Sequence, residues 1–201
     1  MTRTFVSACL ALSLMACDRL DTAFKPAPAT STPSGWEVRF SPKGGCTEAV
    51  VEALRGAKSS VLVQAYSFTS APIAAALVEA HRRGVKVQVL LDKSQRGEKY
   101  SSADFVAHAG IPTSIDDKHA IAHNKVLVID GTTVITGSFN FTKAAEERNA
   151  ENLLVIQDAV LADKYSANWR VHAQHSESYA GRGAEPGAPL LKPLPEGADD
   201  K

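Results

Sequence analysis

Two short apolar runs rich in β-branched residues flank Asp130-Gly131: Val126, Leu127, Val128 and Ile129 on one side, Thr133, Val134, Ile135 and Thr136 on the other. Asp-Gly between such runs is the strongest local signal for a β-hairpin. It constrains this chain more than any other feature, because it commits two strands to antiparallel pairing and fixes which residues meet at their open end. With Asp130 and Gly131 as the central pair of a tight turn, Ile129 faces Thr132, Lys125 faces Thr136 and His123 faces Ser138. His123, Lys125, Ser138 and Asn140 then gather at one edge. His123 and Lys125 are two residues apart and so share a face of their strand. Asp130 sits at the far end, roughly 20 Å away at about 3.3 Å per residue, as a turn residue rather than a catalytic one.

The run at 151–156 reads as a further strand that starts where the hairpin ended, which brings Glu151 near His123. A carboxylate there could accept a hydrogen bond from one ring nitrogen of His123, fix its tautomer and leave the other nitrogen free to attack. An imidazole, a cation and the polar turn Gly137-Ser138-x-Asn140 are what a metal-free phosphodiester-cleaving site needs. A lone His-x-Lys is ordinarily a pair of surface residues at a strand start; Gly137, Ser138 and Asn140 at the matching distance are what shift the reading. Two histidine pairs invite a metal reading, His119 with His123 and His172 with His175. The first adjoins a strand, where residues four apart do not converge on one ion, and the second shows no carboxylate or cysteine partner in the sequence. A catalytic metal needs more ligands than either supplies, so the sequence predicts neither metal nor cofactor. Tyr66, Phe68, Phe139 and Phe141 lie near the same edge, and core packing is the expected role for most of them.

The stretch His123-x-Lys125, Asp130, Gly137-Ser138-x-Asn140 resembles the signature of the phospholipase D superfamily. The resemblance is strongest to the small bacterial Nuc-type endonucleases, which carry one such motif per chain. Residues 64–69, 76–92, 137–145 and 149–152 share it, and it spans from about Trp36 to the helix near His172. It implies a two-step mechanism in which His123 attacks phosphorus and forms a phosphohistidine. A second histidine protonates the leaving oxygen and later activates water. By their match to the motif, Lys125 and Asn140 would hold the non-bridging oxygens, Ser138 would support that pocket, Glu151 would orient His123, and Asp130 would be structural. Among the remaining histidines (His81, His108, His119, His172 and His175) none repeats the motif. One chain therefore supplies half of the chemistry, and a homodimer with two His123 side chains facing across a two-fold axis would supply the rest.

The ends of the chain read differently from its middle. Arg3 followed by an apolar stretch at 5–14, too short to span a bilayer, looks like an export signal. Leu14-Met15-Ala16-Cys17 resembles a lipoprotein processing site, which would leave Cys17 lipidated and the protein extracytoplasmic: a periplasmic or membrane-anchored lipoprotein, with soluble secretion as the alternative. Residues 1–17 are thus read as signal and 18–35 as a flexible linker, which reaches at most ~60 Å when fully extended. Residues 36–177 are read as the catalytic domain and 178–201 as a disordered tail. Cys46 is left without a partner and is expected to be a buried thiol. Lys plus Arg and Asp plus Glu are balanced at 22 each. A nucleic-acid partner, DNA first with RNA as the secondary candidate, would therefore have to be held by local charge such as Arg82, Arg83 and Lys86, the segment 93–99, or Lys118 with His119. Alternating patterns and helix signals, with Pro72 opening a helix and Gly84 closing it, predict an α/β fold: a mixed β-sheet sandwiched between helices. The phospholipase D resemblance implies the same α/β/α architecture.

Overall fold

The computed structural model describes residues 35–183. The expectations for the export signal, Cys17 and the linker up to residue 34, and for residues 184–201, lie outside them. Strand β1 (Trp36–Ser41) and helix α1 (Cys46–Gly56) lead into β2 (Ser60–Ala65), α2 (Ala71–Arg82), β3 (Lys86–Asp92), α3 (Ala103–His108) and β4 (Thr113–Asp116). The hairpin strands β5 (Lys125–Ile129) and β6 (Thr133–Gly137), the short helix α4 (Lys143–Glu147), β7 (Glu151–Gln157), α5 (Ala159–His175) and β8 (Glu177–Ser178) complete the order. The eight strands form one sheet in the order β1-β7-β6-β5-β2-β3-β4-β8. β2, β3 and β4 run parallel, linked through α2 and α3, and the other pairs are antiparallel. This is the expected mixed sheet between helices.

Strand periodicity builds a core on each face. Val61, Val63, Val87, Val89, Leu91, Leu127, Ile129 and Ile135 pack with Val50, Leu54, Ile73 and Leu77 of α1 and α2. Val126, Val128 and Val134 point to the opposite face, where they pack beside Leu62 of β2 and under Leu161, Ala162 and Tyr165 of α5. Full burial of each such aliphatic side chain stabilises by about 1.5–3 kcal/mol. Helix α5 is fixed to its face by the Trp169 indole, which donates to the Val63 carbonyl at 2.9 Å, and it starts on Asp158, whose carboxylate accepts from the Leu161 N–H at 3.0 Å.

The hairpin departs from the expected register by one residue. Asp130 and Gly131 do form the tight turn, with φ of 53° and 65° and the Thr132 N–H donating to the Ile129 carbonyl at 3.1 Å. Strand pairing nevertheless resumes with Ile129 opposite Thr133 and Leu127 opposite Ile135. Thr132 is an extra residue whose carbonyl accepts the Asp158 N–H, at 2.8 Å, at the start of α5. A one-residue shift changes which side chains share a face. Here it places Leu127 level with Ile135 in the larger core, and Lys125 level with Gly137 instead of Thr136.

Two other expectations are corrected. The sequence from Tyr100 to Ala109 reads as one helix, but α3 occupies only Ala103–His108. The tail does not begin at Ser178: β8 pairs with β4, and Tyr179 is buried with its hydroxyl donating to Asp104 at 2.6 Å. The Arg182 N–H donates to the same carboxylate at 2.8 Å, so the packed domain continues to the last described residues.

Candidate active site

The site lies where β5, β6 and β7 meet the loop after β4. Lys125 opens β5 and is 6% exposed, a buried cation. Its ammonium donates to the His123 carbonyl at 2.8 Å and stands 5.1 Å from the centre of the Tyr66 ring. Of its three donors, that hydrogen bond uses one. Burial pushes the Lys125 pKa down, and the nearby Glu151 carboxylate partly offsets this. His123 is not in the strand. It sits exposed at the end of the loop, with its ring packed at 4.7 Å against Tyr66, the planes tilted by 54°. Tyr66 is itself tied to the loop, its N–H donating to the Asn124 carbonyl at 2.8 Å.

Gly137 ends β6 in a conformation suited to glycine, with φ of 146°. A Cβ there would lie 2.3 Å from the Asn152 carbonyl oxygen, so the strands approach this closely only because the residue has no side chain. The Ser138 and Phe139 N–H groups both donate to that carbonyl, at 3.1 and 3.2 Å. In return the Asn152 N–H and Nδ2 donate to Ser138 Oγ, at 3.1 and 3.3 Å. Ser138 therefore locks the Gly-Ser turn onto β7, a supporting position. Asn140 follows, flanked by Phe139 and Phe141, which are fully buried and anchor it as core residues. Its Oδ1 is buried without a hydrogen-bond partner, so the fold does not consume that end of the amide.

Glu151, at the start of β7, accepts from Asn149 Nδ2 at 3.2 Å and acts on Lys125 through its charge. Among the described residues no hydrogen bond joins it to His123. Asp130 lies at the far turn, as expected, and has a defined task there. Its carboxylate accepts from the backbone N–H groups of Lys58, Ser59 and Ser60 and from the Ser59 hydroxyl, at 2.7–3.2 Å. Burial alone would raise its pKa, and these donors outweigh that and lower it. Cys46 is fully buried, and burial pushes its thiol up to about 11.

Several contributors were not legible in the sequence. Asp92, at the end of β3, is 3% exposed. One of its oxygens accepts the Ala122 N–H at 2.7 Å and the other the Ser94 N–H at 2.9 Å, which pins the loop one residue before His123. A carboxylate at the carboxyl end of a parallel strand was the available signal. Of the basic groups proposed as a nucleic-acid track, Arg83 is engaged in capping α1: it donates to the Leu54 and Arg55 carbonyls at 2.9 and 3.2 Å. Lys93 donates to the His119 carbonyl at 3.0 Å. The His172–His175 pair, which showed no carboxylate partner in sequence, has one in space: Asp116, which also binds His119. His119 and His123, by contrast, go to different neighbourhoods.

Comparison with known proteins shows the family to which the chain belongs. The family described as cardiolipin synthase, PLD-like domain, matches residues 50–171. A phospholipase D of Rickettsia bellii is 48% identical over 130 residues, 65% of this chain and 65% of that one; the chain thus spans just under two thirds of that relative's length. A mitochondrial cardiolipin hydrolase of Xenopus laevis is 36% identical over 112 residues, covering 56% of this chain and 53% of that one. Among solved structures, the phospholipase D family member Nuc from Salmonella typhimurium superimposes with a TM-score of 0.70 at 39% identity. That match covers 72% of this chain and 97% of the other.

Proposed function

The chain belongs to the phospholipase D superfamily, and from that premise we propose that it is an endonuclease that hydrolyses phosphodiester bonds of DNA, and of RNA, without a catalytic metal. The observation that carries the reading is the gathering of His123, Lys125, Ser138 and Asn140 at one sheet edge, with one such set per chain. The likeness to Nuc along nearly its whole length supports the nuclease over other superfamily activities, since the motif pattern resembles the single-motif Nuc-type endonucleases.

In this mechanism the exposed imidazole of His123 attacks phosphorus in line with the leaving oxygen. A P–N bond forms as the P–O bond breaks, giving a phosphohistidine. Lys125 and Asn140 hold the non-bridging oxygens, and a buried cation with free donors is worth more there than in water. The partner subunit's His123 donates the proton to the leaving oxygen. It then takes one from water, which attacks phosphorus and releases His123. The chain's own parts thus cover the two requirements of phosphoryl transfer, positioning and charge stabilisation.

A second reading, a lipid phosphodiesterase, is favoured by the names of the Rickettsia and Xenopus relatives. A third, a silent phosphate-binding protein, fits poorly with a complete motif. One experiment separates them. Purified protein is incubated with plasmid DNA, RNA, and phosphatidylcholine or cardiolipin vesicles, each with excess EDTA. Nicking and linearisation of plasmid under EDTA is the expected result. Lipid turnover without nucleic-acid cleavage selects the second reading, and no turnover of any substrate selects the third. Cleavage that stops promptly in EDTA and returns with Mg2+ overturns the metal-free chemistry.

A further inference from the structure

Away from the motif residues, four side chains converge that the proposed reaction does not use. Asp116 ends β4 with its side chain wholly buried. Its Oδ2 is 2.7 Å from His172 Nδ1 and 3.0 Å from His119 Nδ1, and its Oδ1 is 3.4 Å from His175 Nε2. His172 and His175 are three residues apart on α5 and so face the same way; His119 comes from the loop that continues to His123. One donor atom from each of the four lies within 4.8 Å of the others.

Hydrogen bonding to the carboxylate accounts for part of this cluster. His172, His119 and the Lys118 N–H, at 3.1 Å, all point at Asp116. It does not account for His175, whose Nε2 is buried and has no hydrogen-bond partner. Three imidazoles and one carboxylate are instead the donor set of a four-coordinate transition-metal site. At metal–donor distances of about 2.0–2.1 Å, tetrahedral geometry separates the donors by about 3.3–3.4 Å. The carboxylate–imidazole separations of 2.7–3.4 Å are near that, and all four donor atoms lie within 4.8 Å of one another without an ion. Three neutral imidazoles with one carboxylate carry a net negative charge that favours a divalent cation.

We propose that Asp116, His119, His172 and His175 form a structural site for a divalent metal of the zinc class. With four protein ligands the site is closed, so the ion holds structure and does not activate water. It joins the end of β4, the carboxyl end of α5 and the loop that presents His123, three pieces otherwise linked here by a hydrogen-bonded carboxylate.

The test reads metal, not catalysis, so its outcome is independent of the nuclease reading. Full-length protein is stripped with chelator, titrated with Zn2+ by calorimetry, and assayed for bound zinc per chain by mass spectrometry. One ion per chain is expected, with a saturable rise in Tm. His172→Gln and His175→Gln should each weaken binding tenfold or more, whereas His108→Gln, an exposed histidine elsewhere, should bind as wild type. Failure of stripped wild-type protein to bind an ion, or undiminished binding by folded His172→Gln and His175→Gln, overturns the site. Should those variants not fold, Co2+ loaded into wild-type protein decides: an intense visible spectrum of four-coordinate cobalt supports the site, and the weak spectrum of octahedral cobalt overturns it.

Discussion

At the residue scale, Asp130 and Glu151 show how the same functional group serves opposite ends of one hairpin. Asp130 gathers four donors from the loop between α1 and β2. Its folded pKa is lowered below 3.8. The stability it contributes is therefore present above the unfolded carboxylate pKa and is lost as pH falls through the folded value. Asp130→Asn should lower Tm at neutral pH yet keep most of the specific activity measured well below Tm. The Tm gap to wild type should narrow as pH drops below the usual carboxylate range. A folded Asp130→Asn protein as inactive as His123→Ala would contradict its structural role. Glu151 acts instead on Lys125, whose charge burial disfavours. Removing that carboxylate in Glu151→Gln should lower the Lys125 pKa further. Because the protonated ammonium is the form that binds phosphate oxygens, the alkaline limb of kcat/KM should move to lower pH, with kcat reduced less than the roughly 10²–10³-fold expected for losing an electrostatic donor in Lys125→Ala. An acid-limb shift alone would point to His123 as the group that Glu151 serves.

At the scale of elements, the active-site edge is made by how closely β6 and β7 approach. Gly137→Ala puts a methyl group 2.3 Å from the Asn152 carbonyl at a φ that side chains rarely adopt, a conformational strain on the order of 1–3 kcal/mol. Relief requires the strands to separate where Ser138 and Asn140 are held. The variant should therefore lose both Tm and kcat, and an unchanged thermal melt would show that the edge is looser than described. Most elements were legible in the sequence because local signals mark them: Pro72 and Gly84 bracket α2, Asp158 caps α5, and alternation marks the strands. The candidate site residues could be grouped from sequence because Lys125 opens one strand of the hairpin and Gly137 closes the other, with His123, Ser138 and Asn140 just beyond its open end. What was not legible depends on contacts distant in sequence. The extra Thr132 in the hairpin loop answers to the first turn of α5, not to the turn residues beside it. Asp92 meets Ala122 and Asp116 meets His172 only once the parallel strands and α5 have been assembled. The short α4 is of the same kind: Glu146 on it receives the Gly45 and Thr47 N–H groups at 3.1 and 2.7 Å, across the start of α1.

At the scale of the whole molecule, the proposed chemistry asks for two imidazoles and the motif presents one. His119 is the histidine nearest in sequence to His123, but its Nδ1 is bound to Asp116 at 3.0 Å, in the cluster with His172 and His175. His123 itself is exposed, and Ile121 on the same loop is 56% exposed, an apolar side chain that a facing subunit could cover. On the proposed mechanism the prediction is a C2 dimer whose axis passes between two copies of His123, so that each serves as nucleophile or acid in one shared site. Mixing subunits tests this directly. Wild-type chains are refolded with increasing proportions of His123→Ala chains, and random pairing is verified by native mass spectrometry of tagged copies. If both histidines are needed in one site, only wild-type pairs cleave, and activity falls as the square of the wild-type fraction. If each subunit is self-sufficient, mixed pairs keep half activity and the fall is linear. A linear fall with random pairing verified would remove the shared site. The proton donor would then have to be sought among groups of the same subunit, beginning with His119, whose substitution would also register in the metal titration.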